Sequence, residues 1–522
     1  MLKWLGGGAT AEDDPMADLV KVKEMLATIP PEDSVRAVQD AVAWLESVHG
    51  ENNYSMAHRY GVIDLIDVAL KRHGQRLLDQ YLSLKPQAKF QEGLLWRAAM
   101  GYWTALGNAY AACVKQVIVD KADRGGKNAA AMRKNMPQMV ARTLRAQVLQ
   151  IKWILMRYGY VGDTYWSTVA DLYEQARADG YLDEVVEIYG GGHGEGTVRQ
   201  EFLRTLMLGV SSTGGLSPVR QNIAERTISH LASSFVSSDR PAEGCNFFFD
   251  LNGGMSPARV LAQAPGNARL FYFGAGPALD EVQIVLDAVS DSGVLPSQLN
   301  FGTGVNTDEA ADTLLHLAFN WEKELPARDS ERRKVATTLQ VMHGFDGVLS
   351  AGGIAVGAAG VGSKGLQETW VVENASAEGY GMIVPERRGE WLQVGVVLAL
   401  LPESSKPLWG AGIVRRVETD ACGQRRVGIQ VISRAILPGT LCTCKAGGER
   451  GEPHNVVLLD PKPSRSGYMQ MLLRPDSFTL RDELEVTRTA DAQTFMVMPS
   501  GLVESGPDFD RVRFKVEVEV DV

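Results

Sequence analysis

Two short segments carry side chains whose types and spacing could hold an anion. The first is "PARDSERRKVATTLQV", in which Arg328 and Arg332 stand four apart and Arg333 and Lys334 extend the run. The second is "VVENASAEGYG", which places Asn374, Ser376 and Gly379 on a bend between two apolar runs. A guanidinium is planar and always charged, so it can grip a phosphate with two parallel hydrogen bonds. The same fork can donate to the O6/N7 edge of guanine or stack on a purine face. Asn and Ser supply short neutral donors and acceptors that reach a base edge. Glycine lets the backbone approach closely or adopt positive φ. A basic linker closing over a polar turn suits an anionic guanine nucleotide and requires no nucleophile, metal or general base. The same residues also fit a solvated basic linker and a hairpin cap, the ordinary uses of charge runs and of Asn, Ser and Gly.

These segments need a frame. The first 200 residues predict helices, with apolar residues three and four apart in "SVRAVQDAVAWLESV", "VIDLIDVALKRHGQRLLDQYL", "EGLLWRAAMGYWTALGNAYAACVKQVIV", "MPQMVARTLRAQVLQIKWILMRYG" and "TYWSTVADLYEQARADG". "YGGGHGEG" at 189–196 reads as a hinge, and two more helices follow, the second with Ser217 as N-cap and Pro218 at its first position. Residues 201–325 then mix strands ("CNFFFDL", "ARLFYFG", "VQIVL") with a helix, "EAADTLLHLAFNWEKEL". From about Val335 short β-rich runs with turns between them dominate, which predicts a barrel or sandwich. The last 55 residues add further strands and read as a second small β unit.

Bulk properties and failed motifs narrow the chemistry. The 522-residue chain is 45% hydrophobic and 22% charged, as soluble globular proteins are. A formal net charge of -10 argues against a general nucleic-acid binder, which needs a broad basic surface. Cys113, Cys245, Cys422, Cys442 and Cys444 form no disulfide framework or zinc spacing, so reduced thiols and a cytoplasmic location are expected. No apolar run is long enough to span a bilayer, and the N-terminus has no signal core. "GVGSKG" at 360–365 satisfies G-x-G-x-x-G, but a strand-like run follows where a helix should start. His193 has no second histidine at a ligand spacing, and there is no G-x-S-x-G elbow. No metal, cofactor or catalytic residue is expected.

Arg328-Asp-Ser-Glu-Arg332 followed by Asn374-Ala-Ser376-Ala-Glu-Gly379 resembles the PilZ domain family, bacterial receptors for cyclic di-GMP. That family is marked by R-x-x-x-R in an N-terminal linker and D/N-x-S-x-x-G on a barrel. The later "GAGIVRRVETDACGQRRVGIQVI" also looks like the family's paired strands. The resemblance spans residues 326 to about 440. It implies that the arginines clasp phosphate and guanine, that Asn374 and Ser376 contact the base, and that Gly379 permits the turn.

The expectation is a multidomain α+β protein. It has a helical domain at 1–200 and a mixed α/β domain at 201–325, which could be a degenerate relative of the same barrel. A PilZ-like antiparallel β-barrel at 326–445 and an additional β unit at 446–522 complete it. The expected ligand site is Arg328, Arg332, Arg333, Asn374, Ser376 and Gly379. The expected function is a cyclic di-GMP-binding regulatory protein that signals to an unidentified protein partner. The alternative is a PilZ-like interaction scaffold that binds no nucleotide. Nothing specific supports an enzyme.

Overall fold

The computed structural model describes residues 14–50, 54–85, 88–123, 132–189, 194–261, 266, 268–299, 301, 305–324, 331–354, 367–385, 391–403, 408–444, 450–475, 477 and 483–520. Arg328, His193 and the 360–365 glycine loop lie outside them. The chain forms two compact units. The first is Met1–Arg157, Val161–Thr213 and Pro218–Pro326; the second is Tyr158–Tyr160, Gly214–Ser217 and Ala327–Val522.

The first unit opens with helices α1 (Leu19–Ala27), α2 (Ser34–Gly50), α3 (Met56–Leu82), α4 (Lys89–Asp123), α5 (Met136–Leu155) and α6 (Asp163–Asp179). The five long apolar-periodic segments are all helices; α3 buries a row such as Ile63, Ile66, Leu70 and Leu77, whereas α5 is buried on nearly every side. A short pair, β1 (Val186–Glu187) with β2 (Glu195–Gly196), flanks the glycine run. Helix α7 (Val198–Val210) starts at a capping box, Thr197 with Gln200, and α8 (Pro218–His230) follows.

Several helices bury charge as well as apolar surface. Arg142 pairs with Asp64, and its Nη1 lies 3.8 Å from Asp67. Tyr110 and Tyr189 donate to Asp67 at 2.9 and 3.1 Å. Lys152 Nζ donates to Asn222 Oδ1 and Glu225 Oε2, both at 2.7 Å. Glu225 also accepts from Arg204. Each carboxylate has a cation in reach, which is what makes a buried charge tolerable.

The same unit contains an open antiparallel sheet of β3 (Val236–Ser238), β4 (Phe247–Asp250), β5 (Ala258–Arg259) and β6 (Leu270–Gly274), in the order β3-β6-β4-β5. It does not close into a barrel. Helices α9 (Ala278–Ser292) and α10 (Thr307–Trp321) follow. The run "VQIVL", expected as a strand, lies inside α9. Asp280 and Glu281 favour the helix N-terminus there, Val282 and Val289 are buried, and Gly293 ends the helix in the left-handed conformation.

The second unit contains two closed six-stranded barrels. The first uses β7 (Arg333–His343), β8 (Gln367–Ala375), β9 (Gly379–Val384), β10 (Val397–Pro402), β11 (Gly410–Thr419) and β12 (Arg425–Ser433). Alternate residues fill its interior, among them Leu339, Val341, Trp370, Val372, Met382, Val414, Val427 and Ile429. Helix α11 (Gly344–Ala351) follows β7 directly. The second barrel uses β13 (Leu437–Thr443), β14 (His454–Leu458), β15 (Tyr468–Leu473), β16 (Leu484–Arg488), β17 (Thr494–Ser505) and β18 (Asp510–Val520). A common core joins the barrels: Met342, Phe345, Val348 and Leu349 pack with Ile413, Val457, Leu472 and Phe509.

Candidate functional site

The two sequence segments meet at the rim of the first barrel. In the β7–β8 ladder Arg333 stands opposite Ala375, and Lys334 opposite Asn374. Arg333 and Lys334 therefore belong to a strand and not to a free linker, because β7 begins two residues before Val335. Arg332 immediately precedes it. Arg332, Arg333 and Lys334 are all exposed.

The turn is a two-residue connection. Ser376 N–H donates to Gly379 O at 2.9 Å, and Ser376 Oγ accepts the Glu378 N–H at 3.3 Å. Val431 N–H donates to Glu378 O at 2.8 Å, which ties the turn to β12. Gly379 is not in the left-handed region. Its necessity is steric: a Cβ there would lie 2.0 Å from Ile429 O on β12. Gly379 thus permits close strand approach, not a positive φ.

Paired residues of an antiparallel ladder project from the same face. Following the ladders outward from Lys334 gives one row across five strands: Lys334, Asn374, Gly381, Gly428 and Arg416. The two glycines leave a floor without side chains between Asn374 and Arg416. At the usual strand spacing that interval is roughly 14 Å. The Asn374 amide lies over the near end of the floor, since a Cβ on Gly381 would come within 2.6 Å of both Oδ1 and Nδ2. Asn374 Oδ1 is buried and accepts no hydrogen bond. Among the motif residues, Ser376 and Gly379 have work in the fold, whereas the Asn374 carbonyl has none.

The other arginine pairs are accounted for differently. Arg415 grips Glu504 through both terminal nitrogens and donates to Gln430 Oε1 at 2.8 Å. Arg426 pairs with Asp420 at 2.5 Å and Glu373 at 3.3 Å. Arg416 ends the glycine-floored row and meets Glu418 at 3.4 Å. Lys334, Gly381, Gly428 and Arg416 join the candidate site through the strand register, and the motif alone does not single them out. Glycines two apart in "GYG", and the glycine of "RRVGI", were the available signal.

The arrangement offers a cation at each end of the row, the Asn374 amide beside one of them, and a bare shelf between. It can bind a flat, anionic molecule; it presents no nucleophile paired with a base. No described group of His, Cys, Asp and Glu has metal-site geometry, and no described helix is long and apolar enough to cross a membrane.

Residues 20–240 match the family model for the N-terminal domain of the cyclic-di-GMP receptor FimW. That stretch runs from α1 through α8 and ends just after β3; helices α9 and α10 and both barrels lie beyond it. No curated protein matches the chain in sequence.

Proposed function

We propose that this chain is a cytoplasmic, PilZ-like receptor that binds cyclic di-GMP on the outer rim of its first barrel. The observation that carries the reading is the ladder register that sets Lys334 on the same face as Asn374, with Arg333 at the strand's first position, opposite Ala375 at the edge of the turn. The match of residues 20–240 to a domain of a cyclic-di-GMP receptor supports the same ligand from a different part of the chain. Arg332 and Arg333, with Arg328 upstream, hold phosphate or stack on guanine. Asn374 and Ser376 read the base edge, and the glycine floor admits the rings.

The ligand is a signal and undergoes no reaction. It shifts the protein between arrangements by its difference in affinity for them, and the output is contact with a protein partner. Titration calorimetry with cyclic di-GMP on the full chain tests this. Micromolar or tighter binding, lost in Arg332→Ala/Arg333→Ala and in Asn374→Ala/Ser376→Ala, is the expected result. The absence of heat at high ligand concentration, with folded protein, rejects it. The rival reading, a nucleotide-independent scaffold, is favoured by one observation: Ser376 and Gly379 are already explained by turn and strand packing.

A further inference from the structure

The two barrels share one plan. Counted from its own first strand, each runs first, second, third, sixth, fifth, fourth: β7-β8-β9-β12-β11-β10 and β13-β14-β15-β18-β17-β16. The β14–β15 connection is therefore the counterpart of the Asn374–Gly379 turn, and its hydrogen bonds agree. Ser464 N–H donates to Tyr468 O at 2.7 Å, as Ser376 does to Gly379. Ser464 Oγ accepts the Tyr468 N–H at 3.1 Å. Val516 N–H donates to Gly467 O at 2.8 Å, as Val431 does to Glu378. The second turn is one residue longer, and Gly467, at φ 77°, supplies the left-handed residue this requires.

The position two before the serine differs in kind: Asn374 in the first barrel, Lys462 in the second. Here the turn borders a groove of about 330 Å³ lined by Lys462, Ser464, Ser466, Tyr468 and Arg513. Arg513 stands opposite Gln470 in the β15–β18 ladder. The one carboxylate of the groove, Asp460, accepts the Gln470 N–H at 3.0 Å. Neither Lys462 nor Arg513 makes an ion pair among the described residues. The Ser464 and Ser466 hydroxyls lie 2.9 Å apart. Two cations against one carboxylate, with clustered hydroxyl donors, fit phosphate oxygens. A lysine in place of the amide exchanges a base-reading group for a point charge.

We infer that this groove is a second ligand site, for a phosphate-bearing small molecule held by Lys462, Arg513 and the two serine hydroxyls. It borrows from the first-barrel reading only the notion that this turn is a place for ligands. Calorimetry on the full chain with pyrophosphate, GTP and cyclic di-GMP tests it, using wild type, Asn374→Ala/Ser376→Ala and Lys462→Ala/Arg513→Ala. At least one probe should bind equally well to wild type and to Asn374→Ala/Ser376→Ala. Its affinity should fall about tenfold or more in Lys462→Ala/Arg513→Ala, whose changes lie at the surface. Pyrophosphate binding identifies the phosphate group itself as sufficient; binding of a nucleotide alone identifies a nucleotide site. If no probe binds the Asn374→Ala/Ser376→Ala protein, or if Lys462→Ala/Arg513→Ala changes no affinity, the second site is refuted. Pyrophosphate binding that needs Lys462 and Arg513, with no binding of cyclic di-GMP anywhere, refutes the first-barrel reading alone.

Discussion

Replacing Asn374 with Ala should move stability and affinity in opposite directions. The Oδ1 atom is shut away from solvent and accepts no hydrogen bond. Leaving a buried acceptor unsatisfied costs about 1–3 kcal/mol. Asn374→Ala removes that atom and leaves the Asn374–Gly381 backbone pairing intact, so the ligand-free protein should gain about 1 kcal/mol. For a unit of this size that is a rise of about 2–4 °C in the melting temperature of the barrel transition. A base edge read by an amide is worth about 1–3 kcal/mol, so cyclic di-GMP should bind about 5- to 150-fold more weakly. Thermal melts with and without ligand, paired with calorimetry, give both quantities from one preparation. A variant that is less stable and binds unchanged would refute the reasoning, because the carbonyl would then be a structural group with a partner in solution.

Three further outcomes follow from the geometry. Gly379→Ala drives a Cβ into Ile429 O and should destabilise the first barrel by about 3 kcal/mol, seen as a lower urea midpoint even without ligand. Burial pushes the Asp67 carboxyl up to about 6, against the opposing pull of Arg142 and the hydrogen bonds from Tyr110 and Tyr189. The folded form therefore holds that proton more tightly than the unfolded chain, so the stability Asp67 contributes is complete below about pH 4 and is lost as pH rises through about 6. The stability difference between wild type and Asp67→Asn should fall by roughly 3 kcal/mol over that window in urea titrations, and a flat difference contradicts the assignment. Because the cations at the rim are exposed, cyclic di-GMP affinity should decline as ionic strength rises from low to physiological; a salt-independent affinity would exclude Arg332, Arg333 and Lys334 from phosphate contact.

The sequence revealed its longest patterns best. The helical periodicity of α3 and α6 and the alternation along β8 and β12 are visible because each buries one face of a regular element; β11, whose first half is buried on both faces, shows itself only as a continuous apolar run. Short apolar runs were ambiguous: "VQIVL" satisfies a strand period and a helix period alike, and the flanking acids and Gly293 decide for α9. Strand β13 was hidden by Pro438 and Gly439, which read as turn residues. There the glycine is demanded by close packing, since a Cβ would lie 2.8 Å from Thr487 O. Missing β13 also disguised the last segment, which is a complete barrel starting at Leu437 and not an added β unit from 446. At the candidate site the motif residues could be read from spacing. The glycine floor depends on which residues face one another across five strands, and a single sequence does not state that register.

The barrels do not possess separate interiors at their junction. Phe345 and Phe509 are fully buried in one apolar cluster to which α11 and strands of both barrels contribute. Cutting the chain between the barrels would bare that cluster on each half, so neither half should survive as a well-behaved fragment. Proteases ought to yield the pair as a single resistant piece, and denaturant ought to melt the pair in one step. Any strain that a ligand imposes on one rim is then felt by a partner that cannot swivel away from it.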